Sequence, residues 1–205
     1  MIELKRSDCF AGGLHRDCFV HPDDRSLCIK VSKGHGAHES RREIKYYEHL
    51  ARRRISWEHL PRFHGCVDTS LGIGTVFDLI RDHDGEISQT LEGRLASSPL
   101  LEADRARLAQ SLRTLKNYLI EQRIITRTLK AKNILCNKPD RESVRLVLCD
   151  NIGNTDFIPI CSFVDFLATK KIIRKWRRFE SDIGVAALPG ANAPAHAVGH
   201  TGSLS

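Results

Sequence analysis

The apolar pattern of this 205-residue chain changes once, near residue 80, and that change limits what it can fold into. Before it, apolar residues come in short runs broken by Gly, Pro and Asp, the mark of strands joined by turns. Beyond it, leucines 101, 108, 112, 115 and 119 recur at helical spacing and predict a helix from Leu101 to Glu121. Glu102 and Asp104 at its start suit the helix dipole. A β-rich first part followed by a helical second part makes an α+β chain. The apolar content of 41% is enough for a core, and no apolar run approaches the roughly 20 residues that span a bilayer. The opening MIELKRSD has no apolar signal core, so a cytoplasmic protein is expected.

Within the first part, strands are predicted over Leu14–Val20 and Ser26–Ser32, with a His-Pro-Asp-Asp turn between them and a glycine bend at Ala11-Gly12-Gly13. A helix is predicted from Glu39 to Arg54, with Ile44, Tyr47 and Leu50 on one face. Two further strands follow, Arg62–Asp68 and Thr75–Ile80, joined by a Gly72/Gly74 turn, and then a loop at 82–85. After the leucine helix come a short apolar run, Ile134–Cys136, a polar turn, and the strand Val144–Cys149. A last helix is predicted from Ser162 to Phe179, crowded with Lys170, Lys171, Arg174, Lys175, Arg177 and Arg178. The Ala-, Gly-, Pro- and Ser-rich end is expected to be disordered.

Lys and Arg outnumber Asp and Glu by 32 to 25, so the formal charge is +7 and polyanionic company is favoured. Seven cysteines, scattered and without a C-x-x-C pair, indicate neither a disulfide framework nor a zinc site; they read as core thiols in a reducing compartment. The histidines show no ligand spacing.

The informative stretch is Thr126 to Leu135, followed by the hairpin that ends in Cys149-Asp150. Asn133 opens one short strand and Asp150 closes its partner, which sets two oxygen ligands side by side at the hairpin mouth. Mg²⁺ suits such a pair, since it takes few protein ligands and fills its shell with water and phosphates. Lys130, three residues before Asn133, can reach the same phosphates. This arrangement resembles the catalytic loop and metal-binding segment of the protein-kinase-like superfamily, H-R-D-L-x-x-x-N followed by D-F-G. The resemblance implies that Lys30, in Cys28-Ile29-Lys30-Val31, is a phosphate-binding lysine with Glu43 as its ion-pair partner. It places Gly12-Gly13 at the phosphate-covering loop and Val76–Ile80 at the connection between lobes. At closer range the segments RREIKYYEHL, LPRFHG, LKAKNILC and CDNIG, over about residues 10 to 180, resemble the PhoP regulatory network protein YrbL family of bacteria.

The fold this implies is a reduced two-lobed protein-kinase-like one: a β-rich lobe over residues 1–79, a short helical lobe over 80–182 and a tail over 183–205. The implied cofactors are ATP and Mg²⁺, with Lys30, Lys130 and Asp150 as the catalytic set and Asn133 and Asp150 as metal ligands. Gly12, Gly13, Lys30, Glu43 and Lys130 are the residues that would hold the nucleotide. The departures bear on activity. Thr128 stands where such kinases place the catalytic Asp, Thr126 where they place the His, and Asp150-Asn151-Ile152-Gly153 has one residue more than D-F-G. A general base contributes typically about 10²- to 10⁴-fold, whereas phosphoryl transfer relies mainly on positioning and charge neutralisation. Two readings follow, an atypical kinase-like ATP binder with slow or unusual transfer and an inactive pseudokinase serving as a regulatory module. A nucleic-acid-binding protein ranks last, because the three Tyr and two Trp are not clustered near the basic last helix. An acidic protein or a small-molecule acceptor as partner stays open.

Overall fold

The computed structural model describes residues 1–13, 15–34, 37–97, 101–153 and 165–184. The first half forms a five-stranded antiparallel sheet of β1 (Cys9–Gly12), β2 (Arg16–Val20), β3 (Leu27–Ser32), β4 (Phe63–Thr69) and β5 (Gly72–Asp78), in the order β1-β2-β3-β5-β4. Helix α1 (Ala37–Arg52) connects β3 to the β4–β5 hairpin. The second half holds α2 (Leu91–Ser97), α3 (Glu102–Glu121), the antiparallel hairpin of β6 (Ile134–Asn137) and β7 (Arg145–Leu148), and α4 (Asp165–Asp182). The architecture is mixed α+β.

Each sheet face has its own task. On β3, Ile29 and Val31 point to one side, where Phe19, Val76 and Leu4 complete a small apolar layer. Cys28 and Lys30 point to the other side, toward α1. There Cys28 and Phe77 join Tyr47 and Leu50 of α1, leucines 108, 112, 115 and 119 of α3, and Ile172, Trp176 and Phe179 of α4 in one continuous core. Burial of a leucine of that α3 stripe is worth about 1.5–3 kcal/mol. Leu101, the first member of the predicted repeat, lies just before the helix and is exposed.

The expected strands and long helices are all present, with ends displaced by a few residues. Four features differ. A strand, β1, pairs with β2 ahead of the predicted hairpin, and α2 occupies a stretch with no predicted element. On the α1 face, buried Glu43 aligns with Tyr47 and Leu50, while Ile44 is only half-buried. Gly74 is not a turn residue: it lies inside β5, opposite Val31, where a Cβ would collide with Ile29 Cγ2. The turn itself is Ser70–Leu71, and Gly72 opens β5 opposite Thr69 with φ +110°, a left-handed conformation that suits glycine. Leu14, Cys161, the start of the predicted 162–179 helix and the tail beyond residue 184 lie outside the described residues.

Candidate functional site

Lys30 stands on β3 opposite Cys18 of β2 and Thr75 of β5, so its side chain leaves the α1-facing side of the sheet. The side chain is buried; its Nζ donates to the Cys149 carbonyl at 2.6 Å and lies 4.5 Å from the centre of the Phe77 ring. A residue of the sheet thus bonds one 119 positions away, at the end of the β6–β7 hairpin. Asp150 follows at once, its carboxylate partly open to solvent.

Arg16, the first residue of β2, completes the cluster. It is buried and pairs with the Glu43 carboxylate of α1, and the same Nη1 lies 3.5 Å from Asp150 Oδ1. Two cations and two carboxylates therefore share one desolvated region. Burial pushes the Lys30 ammonium toward neutrality, but Asp150 and Glu43 outweigh that and hold it firmly charged. For Arg16, too, the burial penalty is outweighed by Glu43 and Asp150. Burial raises the Asp150 carboxyl, whereas Lys30, Arg16, the Asn151 N–H (2.7 Å) and Arg127 bring it below the usual carboxylate range. Burial likewise pushes the neighbouring Cys149 thiol up to about 12 and Cys18 to about 11, which leaves both protonated and unreactive at neutral pH.

The loop from Ile125 to Asn133 is tied to the segment after Asp150. Thr126 bridges Ile152, Arg127 N–H donates to the Asn151 carbonyl at 2.7 Å, and Gly153 N–H donates to the Ile125 carbonyl at 2.8 Å. Asn151 takes the left-handed conformation, φ 61°, and turns the chain so that Ile152 is buried. From α4, Lys175 Nζ caps the Thr126 and Arg127 carbonyls. Asn133 ends a 3₁₀ turn just before β6; its carbonyl accepts the Cys149 N–H at 2.9 Å. Its side chain is buried and its Nδ2 has no hydrogen-bond partner, nor has Glu43 Oε1.

The structure thus brings Lys30, Glu43 and Asp150 together, with Asn133 bonded to the residue before Asp150. The direct ion-pair partner of Glu43 is Arg16, however, and the direct bond of Lys30 is to a carbonyl. Lys130 and Thr128 are exposed on the loop, and the Lys130 carbonyl accepts the Asn133 N–H. Gly12 ends β1 and Gly13 starts the turn into Arg16, closed by Gly13 N–H to the Arg16 carbonyl at 2.8 Å. A Cβ on Gly12 would press on Asp17 Oδ1 at 2.9 Å, so packing on β2 already accounts for that glycine. Arg16 is the member that sequence reasoning missed. The available signal was its phase, two residues before Cys18 on the strand face that carries Lys30 opposite.

Asn133 and Asp150 carry side-chain oxygens of the kind taken by a cation that keeps most of its shell for water and phosphate, and the contact that links their segments is the backbone bond from Cys149 N–H to the Asn133 carbonyl. No group of three or more His, Cys, Asp or Glu side chains converges among the described residues, so a transition-metal centre has no ligand set there. No helix among them is long and apolar enough to cross a membrane. Two proteins named YrbL, from Escherichia coli (strain K12) and Shigella flexneri, are each 43% identical to this chain over 182 residues, covering 87% of this chain and 86% of theirs. The model of the PhoP regulatory network protein YrbL family matches residues 2–184, which span the sheet, the Arg16–Lys30–Glu43–Asp150 cluster and helices α1 to α4. The chain belongs to the PhoP regulatory network protein YrbL family.

Proposed function

We propose that the protein is a reduced, two-lobed, protein-kinase-like nucleotide binder of the cytoplasm. In this reading residues 1–79 and 80–182 are the lobes, residues 183–205 a tail, and ATP with Mg²⁺ lies between the lobes. The observation that carries the reading is the buried cluster in which Lys30 reaches from the sheet to Cys149 beside Asp150 and Glu43. A firmly charged lysine facing an ionised carboxylate is what a polyphosphate and its metal need from a protein. Asn133 and Asp150 hold the cation through their side-chain oxygens, and the buried, unpaired Asn133 Nδ2 is a donor left for an acceptor such as a phosphate oxygen. Mg²⁺ supplies neutralisation of phosphate charge there. Lys30 binds phosphate, Glu43 orients the cations around it, and exposed Lys130 meets the terminal phosphate. Gly12 and Gly13 cover the nucleotide with backbone. A small-molecule acceptor fits the short second lobe better than a protein does.

One observation favours a second reading, a regulatory module that binds nucleotide without turnover. Thr128 stands exposed where a kinase has its base, and the pairing of Glu43 is already taken by Arg16. Slow or absent transfer follows from either reading. Thermal unfolding with and without ATP and Mg²⁺ tests the shared claim. Saturation at about 100 times Kd adds roughly 2.7 kcal/mol, a rise of several degrees in Tm for a chain of this size. The rise is expected to need metal and to vanish in Lys30→Ala and Asp150→Ala. No rise at millimolar nucleotide refutes the proposal.

A further inference from the structure

A cavity lies away from the Lys30 cluster, between α2, α3 and the β6–β7 turn, with a volume of about 270 Å³. Its lining is strongly basic. Arg94 comes from α2, Arg107 from α3, and Lys138 and Arg141 from the turn, against only two carboxylates, Asp104 and Glu142. Counting these six, four cations less two anions leaves a surplus of two positive charges.

Asp104 is engaged on both oxygens, by Arg94 Nη2 at 3.1 Å and by Arg107 Nη1 at 3.4 Å, so it holds two guanidinium groups beside each other. Lys138 and Arg141 form no ion pair among the described residues, and both are exposed. The turn that carries them is fixed. Lys138 N–H donates to Asp82 Oδ1 at 2.9 Å and the Lys138 carbonyl accepts His83 N–H at 2.8 Å. Asp140 accepts the N–H groups of Glu142 and Ser143 at 2.8 and 2.7 Å. Ser111 Oγ anchors the Val144 carbonyl from α3. The floor is apolar: Leu108 and Cys136 are buried, and burial pushes the Cys136 thiol up to about 12, so it acts as a hydrophobe.

We propose that this cavity binds a small organic phosphate monoester. Its dianionic head matches the two surplus charges and the paired guanidinium forks, and its carbon body covers Leu108 and Cys136. The assignment is independent of the nucleotide reading, since the two sites share no residue.

The test is calorimetric titration of the full chain with phenyl phosphate, inorganic phosphate and phenol. Phenyl phosphate is expected to bind more tightly than inorganic phosphate, and phenol not at all. Lys138→Ala/Arg141→Ala, both changes at exposed positions, is expected to weaken binding at least tenfold. Lys5→Ala/Arg41→Ala, with the same charge loss elsewhere, and Asp150→Ala are expected to leave it intact. The proposal is overturned by no binding of phenyl phosphate at 10 mM or by equal affinity in the Lys138/Arg141 variant. Equal affinity for inorganic phosphate removes the role of the apolar floor and overturns the organic ligand. A phosphoserine peptide that binds where phenyl phosphate does not would overturn the small-molecule assignment in favour of a protein partner.

Discussion

Arg16→Met removes a guanidinium from between two carboxylates while keeping most of the apolar stem. Glu43, 4% exposed, then loses its ion-pair partner in a desolvated site. Arg16 is the hydrogen-bond partner of its Oε2, and Oε1 has none. Breaking one side of a buried pair costs about 3–5 kcal/mol. Lys30 remains close enough to act on Glu43, so the expected loss is at the lower end, about 3 kcal/mol. With a urea m-value of about 2 kcal/mol/M, the unfolding midpoint falls by roughly 1.5 M. The double variant Arg16→Met/Glu43→Leu removes both charges and is expected to recover to within about 1–2 kcal/mol of wild type, because apolar replacement of a buried pair is often neutral. Equilibrium urea unfolding reads all three proteins. A loss below about 1 kcal/mol in the single variant, or additive losses in the double one, would show that the pair is not desolvated.

Gly74→Ala forces a methyl into Ile29 and is expected to cost about 1–3 kcal/mol, read as a lower Tm; an unchanged Tm would mean that the sheet gives way without strain. Leu115→Ala opens a cavity in the shared core and is expected to cost about 2–5 kcal/mol by urea unfolding. The Asp150 carboxyl titrates lower in the folded protein than its unfolded value of about 3.9. It therefore contributes stability above that pH and loses it as pH falls through the folded value. Asp150→Asn is expected to narrow its stability gap to wild type below about pH 4, and a gap constant with pH would contradict this. In the native state iodoacetamide at pH 8 is expected to alkylate exposed Cys66 and spare Cys28, Cys136 and Cys149, as peptide mass spectrometry would show.

The alternation that makes β3 a strand and the spacing that makes α1 a helix are local, so Lys30 and Glu43 could be placed on their elements from sequence. The β6–β7 hairpin was legible for the same reason, and with it the neighbourhood of Asn133 and Asp150. What escaped was non-local. Cys9–Gly12 has no strand pattern of its own and is held by pairing to β2. Residues 91–97 span two turns and become helical with Leu91 fully buried in the core. Gly74 looks like turn chemistry until the closeness of Ile29 supplies another reason for it. Arg16 at a strand end reads as a solvated charge, and only the approach of α1 and Asp150 from distant parts of the chain desolvates it.

Titration calorimetry of ATP with Mg²⁺ into the wild type, Asp150→Ala and Lys138→Ala/Arg141→Ala tests nucleotide binding at the Lys30 cluster most directly. One site per chain is expected, lost in Asp150→Ala and retained in the double variant. Binding that survives Asp150→Ala and disappears with Lys138 and Arg141 would move the nucleotide to the cavity beside α2 and α3 and contradict binding at the Lys30 cluster.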